Sequence, residues 1–501
     1  MEPRDILAVE GCSAIDGRFL CMSFHLASNV AWIIPRIVVA TLFGFGFLFI
    51  IASTPLIRAF LHGCVLAAVV VTFYPLLILG QERSGRVASD LALLVREKRY
   101  IEFARQLEGA QGLSASDRTL FEGILANRRN QVSTSIRLLE PLAHTLVEGP
   151  ADRAELGLCA LGDDYAKSFR YGDAADTYLL LSRLPGYRED DTGCEAGLEG
   201  ERWGLLRQSP AQSTTITGPF TLEENRTPVG LLEVPVQAPH FADHWILDTG
   251  ANLSAVTRTV AAQLGLTLSA ATSTAQGSGG ILVRIHTAVV PEIHIGRATI
   301  RNLPVLVFED NDLSFRQLPY QIHGSIGFPV LQSLGRITFH SDGRFAVHET
   351  PLRQKAHPAN LYLEGFTVLI ETELRGKQHL LTLDTGATGT FLSEQYYEEH
   401  KTEFDAEEPQ ELEMIGAGGS AIIHSYLLPD VTLNIGGRGV ELHDVYVLTE
   451  STGLPAEFAG NLGQSAVGLL SSYTLDFRNM TLSVDARSTT SKNKASHGQA
   501  N

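Results

Sequence analysis

Three rhythms of hydrophobic and polar positions succeed one another along the chain. The first is a near-absence of charge. Residues 37–57 carry none, and residues 59–79 are interrupted only by His62. Each stretch matches the roughly 20 helical residues that cross a hydrocarbon core. Pro55, Arg58 and His62 mark a turn between them, so the pattern predicts a pair of transmembrane helices at 37–79 behind an N-terminal segment, 1–36. A cleavable signal peptide fits poorly, because the apolar stretch is too long and a second follows at once. Arg4, Arg18 and Arg36 precede the pair and Arg83 and Arg86 follow it, against Arg58 alone in the connection. The positive-inside bias then predicts both ends on the cytoplasmic face; with a single span, the soluble part lies on the opposite, periplasmic face.

The second rhythm, over 84–206, has the three- and four-residue spacing of amphipathic helices. Leu91, Leu94 and Val95 are followed by Ile101, Phe103, Ala104 and Leu107, and residues 119–125 by Ile136, Leu139 and Leu142. Leu161, Gly162 and Tyr165, then Ala174 and Tyr178 with Pro185 beyond, resemble one tetratricopeptide unit. The region reads as a helical spacer or as a surface that docks a protein partner. A Ser-, Thr- and Pro-bearing stretch, 208–218, reads as a linker.

The third rhythm is short alternation, as in Gly230-Leu231-Leu232-Glu233-Val234-Pro235-Val236 and Phe366-Thr367-Val368-Leu369-Ile370-Glu371-Thr372, which predicts strands. It fills two blocks, 219–350 and 358–486, joined by a polar connection. The blocks repeat one another. Trp245-Ile246-Leu247-Asp248-Thr249-Gly250-Ala251 returns as Leu381-Thr382-Leu383-Asp384-Thr385-Gly386-Ala387, a period of 136 residues (384 − 248). After each Asp come a helix-like segment (254–264; 393–400), a glycine cluster and an apolar-apolar-Gly element. The clusters are Gly277-Ser278-Gly279-Gly280 and Gly416-Ala417-Gly418-Gly419; the last elements read as Ser325-Ile326-Gly327 and Ala466-Val467-Gly468. Residues 487–501 are polar, without an aromatic residue, and read as a disordered tail.

These motifs resemble the retropepsin-like (retroviral-type) aspartic proteases found in bacterial chains, over roughly 219–486. The resemblance implies two lobes in one chain facing each other as an intramolecular pseudo-dimer, with Asp248 and Asp384 as the catalytic pair. It implies that Thr249 and Thr385 interlock the two turns and that Gly250 and Gly386 make room for the carboxyls. Ala251 and Ala387 match the retroviral pattern where pepsin has a hydroxyl residue. Gly277, Gly279, Gly280, Gly416, Gly418 and Gly419 become candidate flaps; two β-turns are the plainer reading. The expected fold class is thus multidomain: two transmembrane helices, an α-helical tetratricopeptide-like region, and an all-β bilobal aspartic protease fold, in a bacterial inner membrane.

Two Asp residues suit hydrolysis without a metal. Carboxyls sharing a site cannot both ionise comfortably, so one keeps a proton while the other acts as base toward water. Losing pepsin's hydroxyl donor predicts a dyad that works at milder acidity. Composition narrows the remaining options. A net charge of −17 argues against a nucleic-acid partner. Of five cysteines only Cys159 and Cys194 lie beyond the N-terminal region, implying no disulfide framework. Sixteen histidines form no H-E-x-x-H pattern, so neither a metal nor another cofactor is expected. The sequence predicts a membrane-anchored aspartic endopeptidase acting on a protein or peptide; a non-catalytic binding scaffold on the same fold is the alternative.

Overall fold

The computed structural model describes residues 13–15, 18–20, 85–188, 194–223, 225–315, 320–349, 358–405, 407–451 and 458–485. The predicted transmembrane pair at 37–79 and the polar tail at 487–501 lie outside the described residues. Among the described residues, no helix is long and apolar enough to cross a membrane. The chain divides into two units, Met1–Arg83 and Ser84–Asn501. In the first, Ser13–Ile15 and Arg18–Leu20 form an antiparallel hairpin. The second holds both copies of the Asp-Thr-Gly-Ala motif and the helices before them.

Helices dominate 85–188 and 194–205, including Tyr100–Gly109, Ala115–Arg128, Val132–Leu139, Ala151–Lys167, Tyr171–Ser182 and Ala196–Leu205. Ser114 starts Ala115–Arg128 by accepting the Asp117 N–H at 3.0 Å, which satisfies a backbone donor that the first turn leaves free. Ala151–Lys167 and Tyr171–Ser182 approach closely because Gly162 leaves room for Tyr178: a Cβ there would sit 2.7 Å from the ring. Cys159 and Cys194 are joined by a disulfide across 35 residues, contrary to the reading of the cysteine count. The helix-to-loop fold brings them together, and their spacing alone carries no such signal.

The β region is two lobes and a shared sheet. In lobe one the strand order is Ser213–Ile216, Ala298–Phe308, Ser254–Thr257, Gly324–Ile326, Phe241–Leu247, Leu232–Ala238, Leu282–Ile295, Ser273–Gln276. Lobe two runs Leu361–Glu364, Thr367–Leu374, Lys377–Leu383, Gly460–Leu462, Phe391–Leu392, Arg438–Leu448, Gly419–Ile435, Gln410–Gly416. Between them lies a five-stranded sheet, in order Thr481–Val484, Ser472–Asp476, Arg336–His340, Arg344–His348, Phe220–Glu223. Its centre is the pair Thr338 and Thr474, whose hydroxyls bond each other at 2.6 Å. These residues are 136 apart, the repeat period, so they straddle the pseudo-twofold axis.

Three sequence expectations are corrected by the strand pairing. Ser213–Ile216, inside the expected linker, pairs with Ala298–Phe308, because a Thr-rich run satisfies an otherwise open sheet edge. The expected helix at 254–264 is a strand, Ser254–Thr257, followed by a helix, Arg258–Gln263, that Thr257 caps. Its apolar spacing suits both elements; the slot between Gly324–Ile326 and Ala298–Phe308 makes the first part a strand. The counterpart of Gly327 is Gly463, not Gly468. Gly327 and Gly463 each follow their Asp by 79 residues (327 − 248; 463 − 384), and Asp248 and Asp384 donate their backbone N–H to the preceding residues, Ile326 and Leu462, at 3.0 Å.

The helical region is built into the lobes instead of standing apart as a spacer. Arg128 is buried, pairs with Glu364 at 3.1 Å and Asp163 at 3.4 Å, and lies over the Tyr100 ring. Tyr100 donates its hydroxyl to the same Glu364. Burial pushes the Glu364 carboxyl up, but Arg128 and Lys98 outweigh it and hold it below its ordinary value. Asn130 spans the lobe junction, donating to the Phe477 carbonyl at 3.0 Å and accepting from Gln332 at 2.7 Å. Trp203 packs on Phe366, which in turn meets Phe328.

Candidate active site

Each Asp follows a strand whose last residues are buried on both faces and enters a tight turn. Trp245, Ile246 and Leu247, and likewise Leu381, Thr382 and Leu383, are buried, while Asp248 and Asp384 are half-buried and face each other. Asp248 accepts the Gly250 N–H at 3.0 Å and Asp384 the Gly386 N–H at 2.8 Å. Each carboxyl lies against the opposite lobe's turn, which brings the two acids together. A Cβ on Gly250 would lie 2.6 Å from the Asp384 Cγ, and one on Gly386 2.5 Å from the Asp248 Cγ. Only glycine lets each turn pass this close to the opposite acid.

The turns are locked by their threonines. Thr249 donates its hydroxyl to the Leu383 carbonyl at 2.6 Å and accepts the Thr385 N–H at 3.0 Å. Thr385 reciprocates with Leu247 at 2.6 Å and the Thr249 N–H at 3.0 Å. Both threonines are fully buried. Below them, residues that motif reading missed repeat the symmetry. Ser254 accepts the Gly327 N–H at 3.0 Å and Thr390 the Gly463 N–H at 3.1 Å. A single hydroxyl a few residues past each acid announces nothing; alignment of the two repeats at a spacing of 136 could have found the pair. Ala251 and Ala387 accept backbone N–H bonds from Phe328 and Gln464, both at 2.9 Å, tying each turn to the glycine element behind it. Gln464 also bonds the Thr385 carbonyl at 2.8 Å, a contact for which lobe one has Phe328 instead.

Burial is the main cause that raises the Asp248 carboxyl, followed by the charge of Asp384, and the pair of turn amides only partly offsets them. Asp384 is likewise raised by burial against the Gly386 and Ala387 amides. Two acids in this position hold one proton between them above the pH at which free carboxylates ionise.

The glycine clusters form the tips of two hairpins that meet each other. Gly279 and Gly280 have φ of 77° and 78°, and Gly418 and Gly419 of 88° and 132°, values that side chains resist. A Cβ on Gly277 would lie 2.1 Å from the Ala417 carbonyl oxygen. Gly418 donates its N–H to the Asp312 carbonyl of lobe one at 2.8 Å, and Gly416 closes its strand opposite Gly419. Among the described residues, no cluster of three or more His, Cys, Asp or Glu side chains could hold a metal ion.

The profile of a family described as aspartyl protease matches residues 242–330, the part of lobe one from the Asp248 strand to the helix after Gly327. A retropepsin-like aspartic protease from Rickettsia conorii aligns at 16% identity, covering 28% of this chain and 94% of its own, at a TM-score of 0.19. No curated protein matches the chain. The family match supports a protease of the aspartyl type.

Proposed function

We propose that the chain is a membrane-anchored aspartic endopeptidase that hydrolyses peptide bonds of protein substrates with water activated between Asp248 and Asp384. The observation that carries this reading is the facing carboxyl pair, each acid set against the opposite turn and the turns interlocked by Thr249 and Thr385. The ionised member takes a proton from water as the oxygen attacks the scissile carbonyl. The protonated member gives its proton to the carbonyl oxygen, forming a neutral gem-diol, and acid-base help of this kind supplies about 100- to 10,000-fold. Collapse of the diol moves a proton to the leaving amine and restores the shared one. Either Asp can begin in either role, since the titration belongs to the pair. The hairpin tips at 277–280 and 416–419 act as flaps that exclude water once peptide is bound.

The Cys159–Cys194 disulfide supports the periplasmic over the cytoplasmic face for the lobes, because such bonds persist in oxidising compartments. A single span within 37–79 holds them there, whereas the pair would put both ends on the cytoplasmic face.

The test is cleavage of a peptide library by the full-length chain across pH, beside Asp248→Asn and Asp384→Asn. Loss of cleavage with either substitution is expected; cleavage that survives both sinks the dyad. For the compartment, a thiol reagent that enters cells should fail to label Cys159 and Cys194 unless a reductant is added first. Ready labelling places the lobes on the reducing side.

A further inference from the structure

The exit from the helix Ala115–Arg128 touches both half-sites. Its last turn closes with the Asn130 N–H on the Asn127 carbonyl at 3.0 Å and the Gln131 N–H on the Ala126 carbonyl at 2.8 Å. That pairing needs a left-handed residue, and Asn130 supplies it with φ 55°. The tight exit sets three consecutive side chains, Arg128, Arg129 and Asn130, against the lobes. Arg128 pairs with Glu364, while Arg129 donates to the Ala359 carbonyl at 2.8 Å and the Tyr362 hydroxyl at 2.7 Å. Both therefore hold the strand Leu361–Glu364 and its approach. That strand pairs with Thr367–Leu374, and through it with Lys377–Leu383, the strand that delivers Asp384.

Asn130 reaches the other half-site. Gln332, which donates to it, lies on the helix Phe328–Leu334. The start of that helix holds the Asp248 turn at both ends: Ile326 accepts the Asp248 N–H and Phe328 donates to the Ala251 carbonyl. Its far end runs into Gly335, whose carbonyl accepts the Phe477 N–H at 3.0 Å. This bond is the last of the inter-lobe ladder between Arg336–His340 and Ser472–Asp476. Asn130 takes the Phe477 carbonyl at that same point. The residue 136 positions after Gln332 is Gly468, behind a helix of only four residues, so lobe two offers no side chain for an equivalent grip.

We infer that Arg128-Arg129-Asn130 is a staple that fixes the two half-sites relative to each other, with Asn130 as a positioning residue for Asp248. A backbone ladder opens most readily at its end. Here the ladder that joins the lobes ends where the helix behind Asp248 begins to turn away, so fraying loosens the residues that hold the Asp248 turn. Asn130 closes that end, bonding Phe477 of lobe two with its amide and Gln332 of lobe one with its carbonyl. The helical region then sets the placement of the two acids as well as adding stability. The catalytic part of this inference rests on the dyad hydrolysing peptide; the mechanical part is separable from it.

The experiment compares full-length Asn130→Gly with the unsubstituted chain on library peptides that the latter cleaves. Glycine keeps the left-handed turn and removes both side-chain bonds. Misplacing reacting groups by about 1 Å costs up to ~100-fold, so kcat should fall at least ~10-fold with KM unchanged. The bell-shaped pH–rate profile should narrow, because acids moved apart titrate more nearly independently. Gln332→Leu should also lower kcat, by less in the Asn130→Gly background than alone, since the two residues share one bond. It replaces Asn130→Gly should that variant fail to fold. Ser114→Ala removes the cap at the other end of the same helix; it should lower the melting temperature and leave kcat and the pH profile alone. Hydrogen exchange needs no substrate: peptides covering 328–338 and 472–477 should exchange faster in Asn130→Gly and not in Ser114→Ala. Unchanged kcat and pH profile in Asn130→Gly, or the same changes in Ser114→Ala, overturns the inference. An unsubstituted chain that cleaves nothing defeats the hydrolase reading instead; exchange alone then decides the staple, and unchanged exchange overturns it.

Discussion

Replacing Thr249 by Val tests the interlock directly, because valine keeps the shape and removes only the hydroxyl. Two buried backbone groups lose their partner: the Leu383 carbonyl, now bonded at 2.6 Å, and the Thr385 N–H, at 3.0 Å. Each buried group left unsatisfied costs about 1–3 kcal/mol, so the substitution should destabilise the lobe junction by roughly 2–6 kcal/mol. Thr249→Ser keeps both bonds and loses one methyl, for about 1 kcal/mol. Thr385→Val orphans Leu247 and the Thr249 N–H, with the same bond lengths, and should cost about the same as Thr249→Val. The assay is urea denaturation of the three variants followed by tryptophan fluorescence, since Trp245 is buried three residues before Asp248. Peptide hydrolysis is read in parallel, and both valine variants should lose activity well before they unfold. Equal stability of Thr249→Val and Thr249→Ser, or a gap of several kcal/mol between the two valine variants, would refute the interlock.

The same geometry has other consequences. Gly386→Ala places a methyl within 2.5 Å of the Asp248 Cγ, so hydrolysis should fall at least ~100-fold, as a displaced acid-base group predicts, while circular dichroism stays unchanged. Because folding raises the Asp248 and Asp384 carboxyls, the native dyad favours the protonated form; its stabilising contribution is present at low pH and is lost as pH rises above the ordinary carboxylate range. Asp384→Asn should therefore melt higher than the unsubstituted chain at neutral pH and lose that advantage near pH 4 and below, as scanning calorimetry can measure. Unsubstituted enzyme should show its pH–rate maximum above about pH 3, since no hydroxyl side chain follows either glycine. Arg128→Leu removes the cation that pairs directly with buried Glu364 and should cost about 3–5 kcal/mol in a denaturant titration, with Glu364→Gln in the same chain recovering part of it. Reduction of Cys159–Cys194 frees a 35-residue loop in the unfolded chain, for an expected loss of about 4 kcal/mol measured with and without reductant.

Much of the site was legible because hydrolysis by paired acids needs a short, invariable arrangement. An apolar strand, an acid, a hydroxyl and a glycine are all local, and their return after 136 residues announced a second half-site. Alternation of apolar and polar positions likewise separated the helical region from the strands. Only tertiary structure decided the rest. Gly468 follows an apolar pair while Gly463 follows Asn461 and Leu462, so the local pattern points to Gly468, and it takes the bond from Asp384 to Leu462 to choose Gly463. Ser213–Ile216 is polar enough to be a linker until a sheet edge needs a partner. Arg128, Glu364, Cys159 and Cys194 look like ordinary helix and strand residues until folding brings distant charges and thiols into contact. Local chemistry can be read from neighbours along the chain; strand pairing and the docking of helices on lobes depend on neighbours across space, which a single sequence orders only once it has folded.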